Sequence, residues 1–304
     1  MLLVLAAMPE LKGVFVIHDN INNSTLLFSY INEYLLPLNS NSNGIRFLNI
    51  VLLFSESLFL NKIVTDHRLM EKPGFVPAMT FLLLSALLPF RITTFFILIS
   101  GLLIGLLKIL IIIFKQEQPN NNLIAAGFIT GSLAAMNTVY WTTYLWLIIA
   151  LFIMRPASVK EWLICTMGFV LPFYFILSWQ YLTDQLDLKS FFSIGSFAFM
   201  LPKYSTLIWT KIAVFITVPV LGVWAYGSQI SKMVIQNRKT YLIVFILSIF
   251  ILAVMLLKLN VLGNELMFLL TPASFLFAPF FLSFRKEFIP NLVLLAIIAL
   301  AVLR

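Results

Sequence analysis

Residues 92–114 read ITTFFILISGLLIGLLKILIIIF, with a single lysine in 23 residues. A bilayer core about 30 Å thick needs roughly 20 apolar residues of helix to cross it. The rest of the chain repeats this pattern, with charge confined to short gaps between apolar runs. Of its 304 residues 61% are hydrophobic and only 11% are charged, and mean hydropathy is +1.02. Backbone groups in lipid must be bonded internally, so only helices or a closed barrel can span. A barrel strand alternates apolar and polar residues, whereas 241–257, YLIVFILSIFILAVMLL, is apolar all round. The sequence therefore predicts an all-α, polytopic transmembrane helix bundle.

Apolar runs between polar breaks give about ten to eleven spans: 1–17, 45–64, 75–90, 92–114, 123–137, 139–154, 162–182, 207–226, 241–258, 266–284 and 288–303. These form a single integral membrane domain over 1–304. The first run lacks the basic start and cleavage site of a signal peptide and is expected to be a weak span. Alternate loops carry unequal numbers of cations. One set holds twelve, including Lys62, Arg68, Lys72, Arg155, Lys160, Lys232, Arg238 and Lys239. The other holds eight: Lys12, Arg46, Arg91, Lys189, Lys203, Lys211, Lys258 and Arg304. The positive-inside rule makes the first set cytoplasmic. The two longest connections, about 18–44 and 183–206, then lie outside. Both carry amphipathic stretches suited to a membrane surface.

The formal net charge of +8 is accounted for by loop cations and contact with anionic headgroups. There is no block of like charges, basic tail or Gly-rich phosphate loop, so nucleic acid is not an expected partner. One cysteine, Cys165, excludes an intramolecular disulfide. Two histidines, His18 and His67, fall in different loops, so neither a resident metal nor another cofactor is expected.

Glu56 is the most exceptional residue. It lies mid-way along IRFLNIVLLFSESLFLNKIV, where a charge costs about 2.5–3.5 kcal/mol on insertion scales. Asn49, two turns earlier, projects from roughly the same face. One reading is a proton-carrying or substrate-contacting carboxylate; the other is a glutamate bonded to a neighbouring helix for structural reasons. Outer-side acids form a second set: Asp19, Glu33, Asp184 and Asp187. Asp19 and Asp184 join Glu56 as catalytic candidates, because a loop carboxylate can act as a general base or hold a metal. Arg46, Arg91 and Lys203, with Lys211, are candidates for gripping a phosphate; ordinary snorkelling to headgroups is the alternative.

Other motifs read as architecture. Gly101-x-x-x-Gly105 and Gly127-x-x-x-Gly131 allow close helix approach, within the chain or to other membrane proteins. Pro77, Pro89, Pro172, Pro219, Pro272 and Pro279 suggest kinks or helix starts, with Thr271-Pro272 read as a cap followed by proline. Tyr140, Trp141, Tyr144 and Trp146 suggest an interfacial aromatic belt, or a platform for stacking a sugar. Ser158 and Glu161 have capping-box spacing, so a helix should begin there.

Arg155-Pro156, Glu161-Trp162, Gly168 and Leu171-Pro172 resemble the central signature of an uncharacterised family of polytopic inner-membrane proteins of Bacteroidota. Leu60-Asn61-Lys62 and Val76-Pro77-Ala78 are similar to an earlier signature of that family, and the likeness covers roughly residues 45–180. The resemblance implies a multi-pass protein of the bacterial inner (cytoplasmic) membrane. Some members carry the label beta-carotene monooxygenase, an enzyme class that holds iron on four histidines, whereas this chain has two. The organisation is also similar to envelope glycan polymerases and lipid-linked-sugar glycosyltransferases. The leading expectation is a role in envelope biogenesis, acting on a polyprenyl-linked sugar or lipid. A transporter or flippase is the alternative, and a non-catalytic scaffold of an envelope complex is a third. Membrane lipids and a lipid-linked substrate are the expected partners.

Overall fold

The computed structural model describes residues 43–70, 74–88, 94–136, 140–154, 158–183, 205–227, 234–257, 262–283 and 288–302. They form ten helices, and no strand occurs among them. In chain order these are α1 (Asn43–Asp66), α2 (Val76–Leu87), α3 (Thr94–Lys115), α4 (Asn120–Met136) and α5 (Trp141–Met154). There follow α6 (Val159–Leu182), α7 (Thr206–Gly227), α8 (Ile235–Leu257), α9 (Leu262–Ser283) and α10 (Phe288–Val302). Each of the ten expected spans after the first coincides with one of them. The expected span 1–17 lies outside the described residues.

Six helices are long and apolar enough to cross a membrane: α1, α3, α6, α7, α8 and α9. The chain is a multi-pass membrane protein. The other four are shorter than a bilayer requires. α2, with 12 residues, rises about 18 Å. It is buried from Pro77 to Leu87 apart from Met79, so most of its backbone is covered by protein, where a short lipid-facing helix would leave backbone exposed to hydrocarbon.

The described helices divide into two compact units. In the first, residues 43–104 and 205–302, the central element is α9. All of Leu266 to Phe280 is buried, as expected of a helix that is apolar all round. α2, α7 and α8 pack on α9, while α1 and α10 pack on α2. Where α7 meets α9, a Cβ on Gly222 would run into the backbone of Leu276 and Phe277. Tyr226 of α7 stacks on Tyr241 of α8 at 4.1 Å, and Tyr241 lies 4.9 Å from Phe275 of α9. Short connections between these three helices and this register make α7 and α9 run parallel, with α8 antiparallel between their sequence positions.

α1 ends in a left-handed turn. Arg68 has φ 51°, and the Leu69 and Arg68 amides donate back to Val64 and Thr65, the hydrogen bonds of a Schellman motif. The Asn237 amide then donates to the Arg68 carbonyl at 2.9 Å and reaches that of Leu69 at 3.3 Å. The end of α1 and the start of α8 therefore share one end of this unit.

The second unit contains α4, α5, α6 and the latter half of α3. α4 and α6 lie backbone to backbone. A Cβ on Gly127 or Gly131 would strike the Cys165 or Phe169 backbone, and one on Gly168 would strike Ile124. The small-residue face of α4 is thus filled within the chain. α6 starts at the expected cap, with the Glu161 amide donating to the Ser158 hydroxyl.

Two local expectations change. Thr271-Pro272 does not open a helix: both residues lie inside α9. Buried surroundings keep α9 helical through Pro272 and Pro279, as membrane interiors allow. Nor does the whole aromatic cluster lie at a surface, where only Trp141, 40% exposed, is open. Tyr140 and Trp146 are 1% and 0% exposed, because these side chains pack into the protein. Tyr144 stacks on Phe169 at 4.1 Å and bonds Thr166 at 2.7 Å, so its ring is already covered.

Candidate functional site

Glu56 occupies the middle of α1, whose outward face exposes Phe47, Val51 and Leu58. The opposite face buries Leu53, Ser57, Leu60 and Val64. Glu56 lies at the edge of that buried face and turns toward α3. The Ser100 hydroxyl stands 2.5 Å from Glu56 Oε2, and the Gly101 amide faces the same carboxyl. Two turns nearer the start of both helices, the Thr94 hydroxyl donates to Asn49 Oδ1 at 2.7 Å. α1 and α3 are thus joined by a polar seam whose two rungs follow the seven-residue spacing of Asn49 and Glu56. From α9, the Thr271 hydroxyl reaches the Ser100 carbonyl at 3.5 Å, bringing a third helix to the same level.

Gly101 makes room for the carboxyl. A Cβ built on it would come within 2.7 Å of Glu56 Oε1. The Gly101-x-x-x-Gly105 spacing therefore has a use other than the helix packing expected of it, and a Cβ at Gly105 would meet nothing within 4 Å.

The geometry has a chemical consequence. Ser100 Oγ lies 2.8 Å from the Ile97 carbonyl as well as against Glu56. A hydroxyl offers one proton and two lone pairs. When Glu56 is ionised, Ser100 donates to the carboxylate. When Glu56 carries a proton, it can donate to Ser100 Oγ while the serine proton turns to Ile97. Both protonation states leave the pair hydrogen-bonded. A buried polar group costs heavily only when one of its states is left without a partner, so this site suits a carboxyl that gains and loses a proton.

Of the other candidates, Arg46 is half-buried in the first turns of α1, ten residues and about 15 Å along the helix from Glu56. Asp19, Asp184, Arg91 and Lys203 lie outside the described residues, as does nearly all of the connections 18–44 and 183–206. Ser100, Gly101, Thr94 and Thr271 were not singled out from the sequence as site residues. The available signal was a serine and a glycine side by side within the apolar run 92–114. Among the described residues no group of three or more His, Cys, Asp or Glu side chains is placed to hold a metal. No protein-family model, curated protein or solved structure matches this chain.

Proposed function

We propose that this chain is a multi-pass protein of the bacterial inner membrane that moves an amphiphilic envelope precursor, a polyprenyl-linked sugar or a related lipid, using Glu56 as a proton-carrying carboxyl. The observation that carries this reading is the Glu56–Ser100 pair, which stays hydrogen-bonded in either protonation state at the middle of a membrane helix. Intramembrane carboxyls in polar seams are a common feature of proton-linked transport. Membership of the Bacteroidota inner-membrane family, resembled at Arg155-Pro156, Glu161-Trp162 and Leu171-Pro172, belongs to the same proposal and accounts for the envelope setting.

The enzyme reading draws on Asp19, Asp184, Arg91 and Lys203, and Glu56 alone does not supply the acid and base of a glycosyl transfer. The scaffold reading drew on free small-residue faces; that of α4 is occupied by α6, which leaves only the open side of Gly105 on α3 among these motifs. Transport is therefore the reading with the better physical support.

The test is a deletion strain complemented with wild type or Glu56→Gln, both quantified in the membrane. Wild type should restore normal levels of lipid-linked precursors by mass spectrometry of the membrane lipids. Glu56→Gln, folded and at equal abundance, should leave them accumulated. Full restoration by Glu56→Gln would reduce the carboxyl to a structural contact.

A further inference from the structure

We propose that Lys211 contacts the phosphate of a lipid, at the end of the first unit opposite the Arg68–Asn237 contact; this deepens the transport reading by naming the chemistry recognised.

Lys211 is in the second turn of α7 and begins its buried stripe, which continues through Phe215, Val218, Gly222 and Ala225. That stripe packs on α9 and α2, and lysine is rare on such a face. A snorkelling lysine keeps its stem on apolar surface and its head in water. Lys211 instead is only 8% exposed and has no hydrogen bond or ion pair among the described residues. Among the described residues no anion stands beside this mostly buried cation, and a phosphate would supply one.

The position suits a lipid phosphate. Gly222, three turns further along the same stripe, is pressed against α9, and Tyr226 marks the end shared with Arg68 and Asn237. Lys211 is therefore toward the other end, where α1 begins with Arg46 and where Asn49 meets Thr94. Within α7 and α9 one acid stands at the matching register. Glu265 precedes Leu276 by the eleven residues that separate Lys211 from Gly222, so an ion pair between these two is the rival outcome.

The experiment uses the full chain in phosphatidylcholine nanodiscs doped with a short polyprenyl phosphate, with phosphatidylglycerol, or with the uncharged polyprenol, and measures retained lipid by native mass spectrometry. Wild type should retain one or both phosphate lipids over polyprenol, and whichever is preferred identifies the source of the phosphate. Lys211→Met should lower that retention by about tenfold or more, the usual loss for a hydrogen bond to a charged group, and Lys211→Arg should keep most of it. Equal retention by wild type and Lys211→Met overturns the proposal. So does a melting temperature lowered by Lys211→Met and restored by adding Glu265→Gln, which would make the glutamate the lysine's partner. Binding is read without transport. Phosphate selectivity through Lys211 in a chain that moves no lipid would sink the transport reading and leave this one standing.

Discussion

At the scale of single residues, the seam between α1 and α3 allows stability and function to be separated. Hydrogen bonds between membrane helices are worth about 0.6 kcal/mol on average and rarely above 2. Ser100→Ala should therefore cost about 1 kcal/mol in a detergent or lipid unfolding titration, while abolishing the second proton arrangement and with it activity. Gly101→Ala is the sharper probe. The added methyl meets only the movable end of Glu56, and alanine is the better helix former by roughly 1 kcal/mol. The variant should be as stable as wild type or slightly more so, yet impaired in function. A Gly101→Ala protein with undiminished activity would show that the position of the carboxyl does not matter. Glu56 itself was legible in the sequence, because a carboxylate in an apolar run stands out against its neighbours. Its partners were not, since Ser100 and Thr94 are ordinary within α3 until α1 is laid beside it. Gly101 was read as packing because small-residue spacing is common in membrane helices whether or not a side chain uses the space.

Among the elements, helix ends and helix contacts are open to direct test. Arg68 closes α1 in a conformation that costs a non-glycine residue roughly 1 kcal/mol. Arg68→Gly should raise stability by about that amount or a little less, measured as a shift of the unfolding midpoint; a loss would mean that the arginine side chain does more than end the helix. In the second unit, Gly131→Val would force α4 away from the Phe169 backbone. Lost stability of several kcal/mol is expected, with collapse of the Tyr144–Phe169 stack, as overpacking against a backbone cannot be relieved by a rotamer change. Helix positions were legible because hydrophobic runs report directly on membrane helices. The Ser158 cap was legible too, since it depends on residues three apart. The role of Thr271-Pro272 was misread, because a proline that would stop a soluble helix is tolerated where neighbouring helices surround it. Tyr140 and Trp146 were misread for a related reason: composition does not tell a ring at the surface from one packed inside the protein.

For the whole molecule, the contact of Asn237 with Arg68 puts the end of α1 and the start of α8 at one level, as one sidedness for Arg68, Arg238 and Lys239 requires. In a Cys165→Ser background, single cysteines at 68 and 236 should resist an impermeant maleimide added from outside and react after permeabilisation. Opposite behaviour at the two positions would contradict the Asn237–Arg68 hydrogen bond. The larger account rests on one statement, that a lipid-linked headgroup crosses the membrane with the Glu56 proton. The direct measurement is translocation in proteoliposomes carrying a fluorescent polyprenyl phosphate, with an inward pH gradient and a headgroup-specific membrane-impermeant quencher outside. Wild type should show lipid movement that depends on the gradient, and Glu56→Gln should fall to the rate of protein-free vesicles. Lipid movement at the wild-type rate in Glu56→Gln vesicles, or none in wild-type vesicles, would contradict the account.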